Sequence, residues 1–192
     1  MSTSYDAGRR QAIEVAAEPV DGIDLGTRFL KADHASEHRA VNIYAGQIFM
    51  ARFTARAKLD ELVQFRRHEE RHRAIFWAEL QRRDRAHCGS YRLCGFGGFV
   101  LGILTGLCGA EAIAATGAAV ESVVLRHLER QVATLTGKDP AAVAAIRSIV
   151  REKRLHHDLS ASQVPADGFW ARVLLPTVSM STELVMWLGM RL

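Results

Sequence analysis

Proline is scarce in this chain, with 4 in 192 residues. So few breakers disfavour a turn-rich β sandwich and suit long helices. Cysteine is scarcer still. Cys88, Cys94 and Cys108 make an odd set with no C-x-x-C pair, which argues against a disulfide framework or a zinc knuckle and for a reducing compartment. Aromatic residues are 7% of the chain, too few for a base-stacking surface. The first 30 residues are not free of acids. Asp6, Glu14, Glu18, Asp21 and Asp24 stand beside Arg9 and Arg10, which is not the pattern of a secretory signal or a mitochondrial transit peptide.

What is present is ordinary in amount. Hydrophobic residues are 48%, charged residues 24% and the formal net charge is +4. That is a globular composition of about one domain's length. Residues 1–28 have no clear period and read as an N-terminal arm, expected to be mobile. Residues 29–192 read as an all-α domain.

Apolar spacings near three and four mark helices over 29–57, 58–86, 111–136 and 140–158. Asp139-Pro140 is an N-cap followed by Pro at the first helical position. A last apolar helix over 169–192 is expected to bend or break at Pro176. Arginine is abundant on 58–86, but Asp60, Glu61, Glu70, Glu79 and Asp84 are interleaved, so a solvated face is expected and no nucleic-acid groove. From Leu93 to Ala110 there is no charge. Length alone touches the lower limit for a membrane span. The glycines within the run and Glu111 after it favour a closely packed bundle helix or a lipid-facing one.

A duplication carries the chemistry. Glu37 precedes His72 by 35 positions, and Glu121 precedes His156 by 35. Both pairs are offset by 84, and apolar positions repeat at the same offset: Val41 with Leu125, Tyr44 with Leu128, Ile48 with Val132, Leu62 with Ile146, Phe65 with Ile149. The chain therefore reads as two similar helical hairpins, and two such hairpins make a four-helix bundle. In Glu69-x-x-His72 the two side chains share a helix face. With those faces inward, the set is that of ferritin-like di-metal carboxylate bundles, a Glu from each of two helices and a Glu-x-x-His from each of the others. The repeat also demands a Glu at 153, since 69 + 84 = 153. Lys153 stands there.

At these residues the chain resembles the demethoxyubiquinone hydroxylase family, the di-iron monooxygenases of ubiquinone biosynthesis. The stretch KADHASEHRAVNIYAGQ (31–47) is similar to that family's opening motif. HEERH (68–72) is similar to its second-helix ligand motif, and AAVESVVLRHLERQ (118–131) is similar to its middle region. LHHD (155–158) falls where the family has E-L-E-H-H-D, and ELVMWLGMRL (183–192) resembles its last helix loosely. The resemblance implies iron, two ions in the family. It assigns Glu37, Glu69 and His72 to one ion, with Glu69 bridging, and Glu121 and His156 to the other. It aligns His127 with a histidine close to the metal site, a catalytic candidate, although a polar partner within the bundle serves equally. It implies O2-dependent hydroxylation of a demethoxyubiquinol ring, and a polyprenyl quinone substrate taken from a membrane surface. Localisation would be peripheral, on the cytoplasmic face of a bacterial inner membrane, with a homo-oligomer or other quinone-biosynthesis proteins as partners.

Lys153 keeps a second class open: a non-catalytic or mono-metal relative that binds a polyprenyl lipid or scaffolds quinone enzymes. A protonated lysine cannot bridge metals and is expected to pair with Glu69 and Glu121. One metal retained through Glu37, Glu69 and His72, a metal-free pocket held by ion pairs, or Glu152 as a replacement ligand are the outcomes. The last calls for a shift of about 100° around the helix. A plain ferritin-like iron store is disfavoured by the apolar run.

Overall fold

The computed structural model describes residues 21–165 and 167–191. Among the described residues six α-helices follow in chain order: α1 (Gly22–Thr54), α2 (Leu59–Arg82), α3 (Tyr91–Leu107), α4 (Ala110–Leu135), α5 (Pro140–Ser162) and α6 (Phe169–Arg191). No strand occurs among the described residues. Most of the expected arm, residues 1–20, lies outside them.

The arm's expected boundary moves. α1 begins at Gly22 rather than at 29, because Asp21 caps it and accepts from the Ile23 amide. That cap meets an amide that has no partner within the helix. A 3-10 turn, Arg56–Lys58, reverses the chain into α2. The second reversal lies between α4 and α5. There Gly137 takes φ +79°, a left-handed backbone that glycine adopts without strain. Asp139 Oδ1 accepts from the Ala142 amide at 3.1 Å and starts α5. Two hairpins, α1–α2 and α4–α5, thus form the four-helix bundle.

The repeat is visible in the packing. Val41, Leu125, Tyr44, Leu128, Leu62, Ile146, Phe65 and Ile149 are all buried, and Ile48 and Val132 are both half-buried. Leu128, Ile146 and Ile149 join Leu30, Phe76 and Leu80 in the main core between the hairpins.

The two remaining helices flank the bundle. α3 lies against α1 through glycine. A Cβ on Gly102 would stand 2.1 Å from the Ile43 carbonyl oxygen, and one on Gly98 2.4 Å from that of Arg39. Only glycine permits backbones so close. The opposite face of α3, with Leu93, Phe96, Phe99 and Leu104, is exposed. The close-packed reading of this run matches its glycine face, and the opposite face is apolar and exposed. Among the described residues no helix is long and apolar enough to cross a membrane.

α6 packs on α4 and α1. It runs unbroken through Pro176, so of the expected bend or break the break does not occur. Pro176 is exposed, so water can meet the carbonyl its missing N–H leaves open.

Candidate metal centre

The five metal-ligand candidates come from all four bundle helices and meet in its centre. Glu37 is on α1, Glu69 and His72 on α2, Glu121 on α4 and His156 on α5. Each is at most 1% exposed. Two groups have ligand atoms within 4.8 Å of one another: Glu37, Glu69 and His72, and Glu69, Glu121 and His156. Glu69 belongs to both.

Each imidazole is anchored by its outer nitrogen. His72 Nε2 lies 2.8 Å from Glu152 Oε2, and the Arg71 guanidinium donates to Glu152 at 2.6 Å. His156 Nε2 lies 2.9 Å from His68 Nδ1, and its ring stacks on Phe65 with centroids 4.1 Å apart. Both Nδ1 atoms therefore point inward, at the carboxylates: His156 Nδ1 lies 3.0 Å from Glu69 Oε1, and His72 Nδ1 lies 3.6 Å from Glu69 Oε2 and 3.7 Å from Glu37 Oε2. An anchored outer nitrogen and an inner one aimed into the ligand cluster is how a metal-ligating histidine is oriented.

Lys153 is fully buried in the same space. Its Nζ contacts Glu69 Oε2, lies 3.0 Å from Glu37 Oε2 and 3.5 Å from Glu121 Oε1. The residue that breaks the sequence repeat thus occupies the centre of the constellation. Burial opposes its charge, but the three carboxylates outweigh burial and hold the ammonium's pKa well above its ordinary value. Glu69 is held well below the usual carboxylate range: burial works against it, and Lys153 with the surrounding hydrogen bonds prevails. For Glu37 burial wins over Lys153, and its pKa is pushed up to about 7. Burial also opposes charge on His72 and His156, but the hydrogen bonds and charges of their carboxylate neighbours raise them to about 10 and about 9. The pocket is neutral when three carboxylates face one ammonium and two imidazoliums.

A family model described as ubiquinone biosynthesis protein COQ7 matches residues 24–189. The chain belongs to that family. Among COQ7-family relatives, it is similar to a 3-demethoxyubiquinol 3-hydroxylase of Rhodospirillum rubrum, 30% identical over 191 residues, covering 97% of this chain and 88% of the relative. It is also similar to NADPH-dependent 3-demethoxyubiquinone 3-hydroxylase, mitochondrial, of Homo sapiens. That match is 29% identical over 161 residues, covering 79% of this chain and 73% of the relative. The corresponding protein of Mus musculus is 28% identical over 156 residues, covering 77% and 70%.

For a metal-binding member of this family the donor types are suitable: carboxylate oxygens and inward imidazole nitrogens, the set that divalent iron takes. Two ions at once do not fit. Three carboxylates supply three negative charges, Lys153 cancels one, and two divalent ions would leave two uncompensated positive charges in a closed interior. Such an excess is expensive to bury.

His127 does not join the five. It lies six residues past Glu121 on α4, about 240° further round the helix. That points it at α6, where Nε2 lies 2.6 Å from Glu183 Oε2. The structure also brings in residues that periodicity missed. His68 carried no assigned role and anchors His156. Glu152 needs no rotation of α5: it reaches His72 from outside the pocket. Asp33, one turn before Glu37, is buried, accepts from Gln131 Nε2 at 3.0 Å and has its pKa raised to about 8 by burial. Its sequence signals were the spacing by four from Glu37 and its place in the KADHASEHRAVNIYAGQ stretch. Three of the other histidines, His34, His38 and His87, stack on Tyr91 with centroids 4.0–4.8 Å apart.

Proposed function

We propose that this chain is a quinone-ring hydroxylase of ubiquinone biosynthesis with an altered metal pocket. The observation that carries the reading is the convergence of repeat-related carboxylates and imidazoles from four helices on one buried point. In this reading Glu37, Glu69, His72, Glu121 and His156 are the candidate ligands for iron.

The substrate class is a demethoxyubiquinol-type ring bearing a polyprenyl tail, the class named for the relatives. A groove of about 580 Å³ between α2 and α5 supports it. Phe65, His68 and His156 line its inner side, and Leu155 and Leu159 its exposed apolar rim. That volume lies in the usual range for a small-molecule site. Burial of the ligand cluster keeps bulk water off the reacting ring, and Phe65 offers an apolar surface beside it. His127, paired with Glu183, has a positioning role at the α4–α6 seam. The exposed apolar face of α3 is the surface that would rest on a membrane, peripherally, as amphipathic helices do. The cytoplasmic face of a bacterial inner membrane is the location this implies.

Hydroxylation inserts one atom of O2 into a ring C–H bond, and the other atom leaves as water. Two electrons and two protons are needed, and a reduced nicotinamide is the donor class named for the mammalian relatives. Incubating metal-loaded protein with a short-tailed demethoxyubiquinol, NADPH and ¹⁸O2 tests this. The expected product carries one ¹⁸O atom on the ring. Binding of the quinol with no labelled product overturns the reading in favour of a non-catalytic lipid-binding relative.

A further inference from the structure

We infer that this pocket takes one divalent metal ion, held by Glu69, Glu121 and His156, and that the Lys153 ammonium stands in for a second ion. The inference rests on the pocket being a metal pocket, and it is independent of the hydroxylation reaction.

Lys153 does not oppose the two ligand groups equally. Its Nζ lies on Glu69 Oε2 and Glu37 Oε2. Those are the carboxylate oxygens that face His72 Nδ1, at 3.6 and 3.7 Å. The ammonium therefore sits against the Glu37–Glu69–His72 group, where it contends with an ion for the oxygens nearest the imidazole. The other group is engaged less by the lysine. Glu69 Oε1, the oxygen that Lys153 does not contact, faces His156 Nδ1 at 3.0 Å. Lys153 reaches Glu121 only at 3.5 Å, through Oε1, its longest contact of the three. Buried atoms without a full hydrogen-bond partner occur in both groups, Glu37 Oε1 and His72 Nδ1 as well as Glu121 Oε2, so the lysine's distances make the distinction. Glu69 Oε1, Glu121 and His156 Nδ1, from α2, α4 and α5, are what an ion there would use.

Charge gives the same count. Three carboxylates balance one ammonium and one divalent ion. The family's arrangement of four carboxylates balances two divalent ions. Replacing the fourth carboxylate by a cation removes a negative charge and adds a positive one, which is the charge of one divalent ion. Lys153 thus changes both ligand number and ion number while leaving the pocket neutral. Among the outcomes open from sequence, the one with a retained ion has it at Glu37, Glu69 and His72. The positions of the lysine contacts move it to the other side of Glu69.

Anaerobic titration of the full chain with Fe²⁺, followed by metal analysis after desalting, tests the proposal. Wild-type protein is expected to hold about one iron, with the Mössbauer signature of an isolated high-spin ion. Glu121→Gln and His156→Gln are expected to drop iron to near zero, whereas Glu37→Gln retains it. Lys153→Glu is expected to raise the content to about two, as a coupled pair. Circular dichroism checks that each variant is folded. If Lys153→Glu does not fold, the wild-type count and signature decide. No bound iron, about two per chain, or one ion lost in Glu37→Gln and kept in Glu121→Gln each overturns the proposal. Because nothing in this titration reads activity, a failed hydroxylase assay leaves its result standing.

Discussion

The hairpins α1–α2 and α4–α5 have one design and different electrostatics. In the first, α2 presents Glu69 and His72. In the second, α5 presents Lys153 and His156 at the same offset. Apolar partners at equivalent positions are buried alike in both. Outside the pocket the hairpins exchange support: Glu152 of α5 anchors His72 of α2, and His68 of α2 anchors His156 of α5. The comparison separates two layers of information. Apolar spacing sets the shape of the pocket and survives the divergence of the halves. Its charge, and hence what it can hold, depends on single residues.

Removing Lys153's charge breaks that contrast most severely. Lys153→Met leaves Glu37, Glu69 and Glu121 buried without their ammonium. Truncating one partner of a buried ion pair costs about 3–5 kcal/mol, so a loss of that size in urea-unfolding stability is expected for metal-free protein. A divalent ion should restore much of it, because an ion bound only to the folded state stabilises that state. Loss below about 1 kcal/mol, the scale of an exposed pair, would mean that Lys153 reaches solvent and does not organise the pocket.

The flanking helices sharpen the comparison next. On the first hairpin, α3 reaches the α1 backbone, and a Cβ on Gly102 would meet the Ile43 carbonyl oxygen at 2.1 Å. Backbone cannot move aside locally, so Gly102→Ala should cost about 1–3 kcal/mol, the usual range for overpacking. On the second, a Cβ on Gly117 of α4 would meet the Ser160 side chain, its Oγ at 2.8 Å and its Cβ at 3.3 Å. A rotation moves the hydroxyl away, and the remaining Cβ contact calls for only a small shift. Alanine also favours helix over glycine by about 0.8–1.0 kcal/mol, so Gly117→Ala should be neutral or slightly stabilising. Thermal unfolding of the two variants measures the difference. Equal effects would show that α3 is not held by close backbone contact.

Much of this was legible before any coordinates. Period-3.6 apolar positions located the bundle helices, and the 84-residue offset paired the hairpins and singled out position 153. Less of the surroundings was legible. Glu152 and His68 act across the bundle, from residues that read as exposed polar positions on their own helices, so no local pattern marks them. Nor could α3 be assigned to packing or to lipid, because it is glycine on one face and apolar on the other. The start of α1 was missed because a capping Asp carries no apolar period.

The hairpin reversals differ too, and this supplies the smallest test. The α1–α2 turn is a 3-10 segment whose start has no side-chain cap. The α4–α5 turn depends on Asp139, which caps α5 at the Ala142 amide and accepts two hydrogen bonds from Arg83, at 2.7 and 2.8 Å. Asp139→Ala should therefore cost about 1–2 kcal/mol, the range for losing an N-cap oxygen. The pH dependence has a defined sign. Burial opposes the Asp139 charge, but Arg83 and the Ala142 amide prevail and hold its pKa below the usual carboxylate range. A carboxyl group with a depressed folded-state pKa stabilises the fold fully above its unfolded value. That stabilisation fades as pH falls through the folded value. Wild type and Asp139→Ala should thus differ most above about pH 5 and converge toward pH 2, within the usual span of acid titration. A difference that stays constant across that range would assign the effect to packing at the turn and not to the carboxylate.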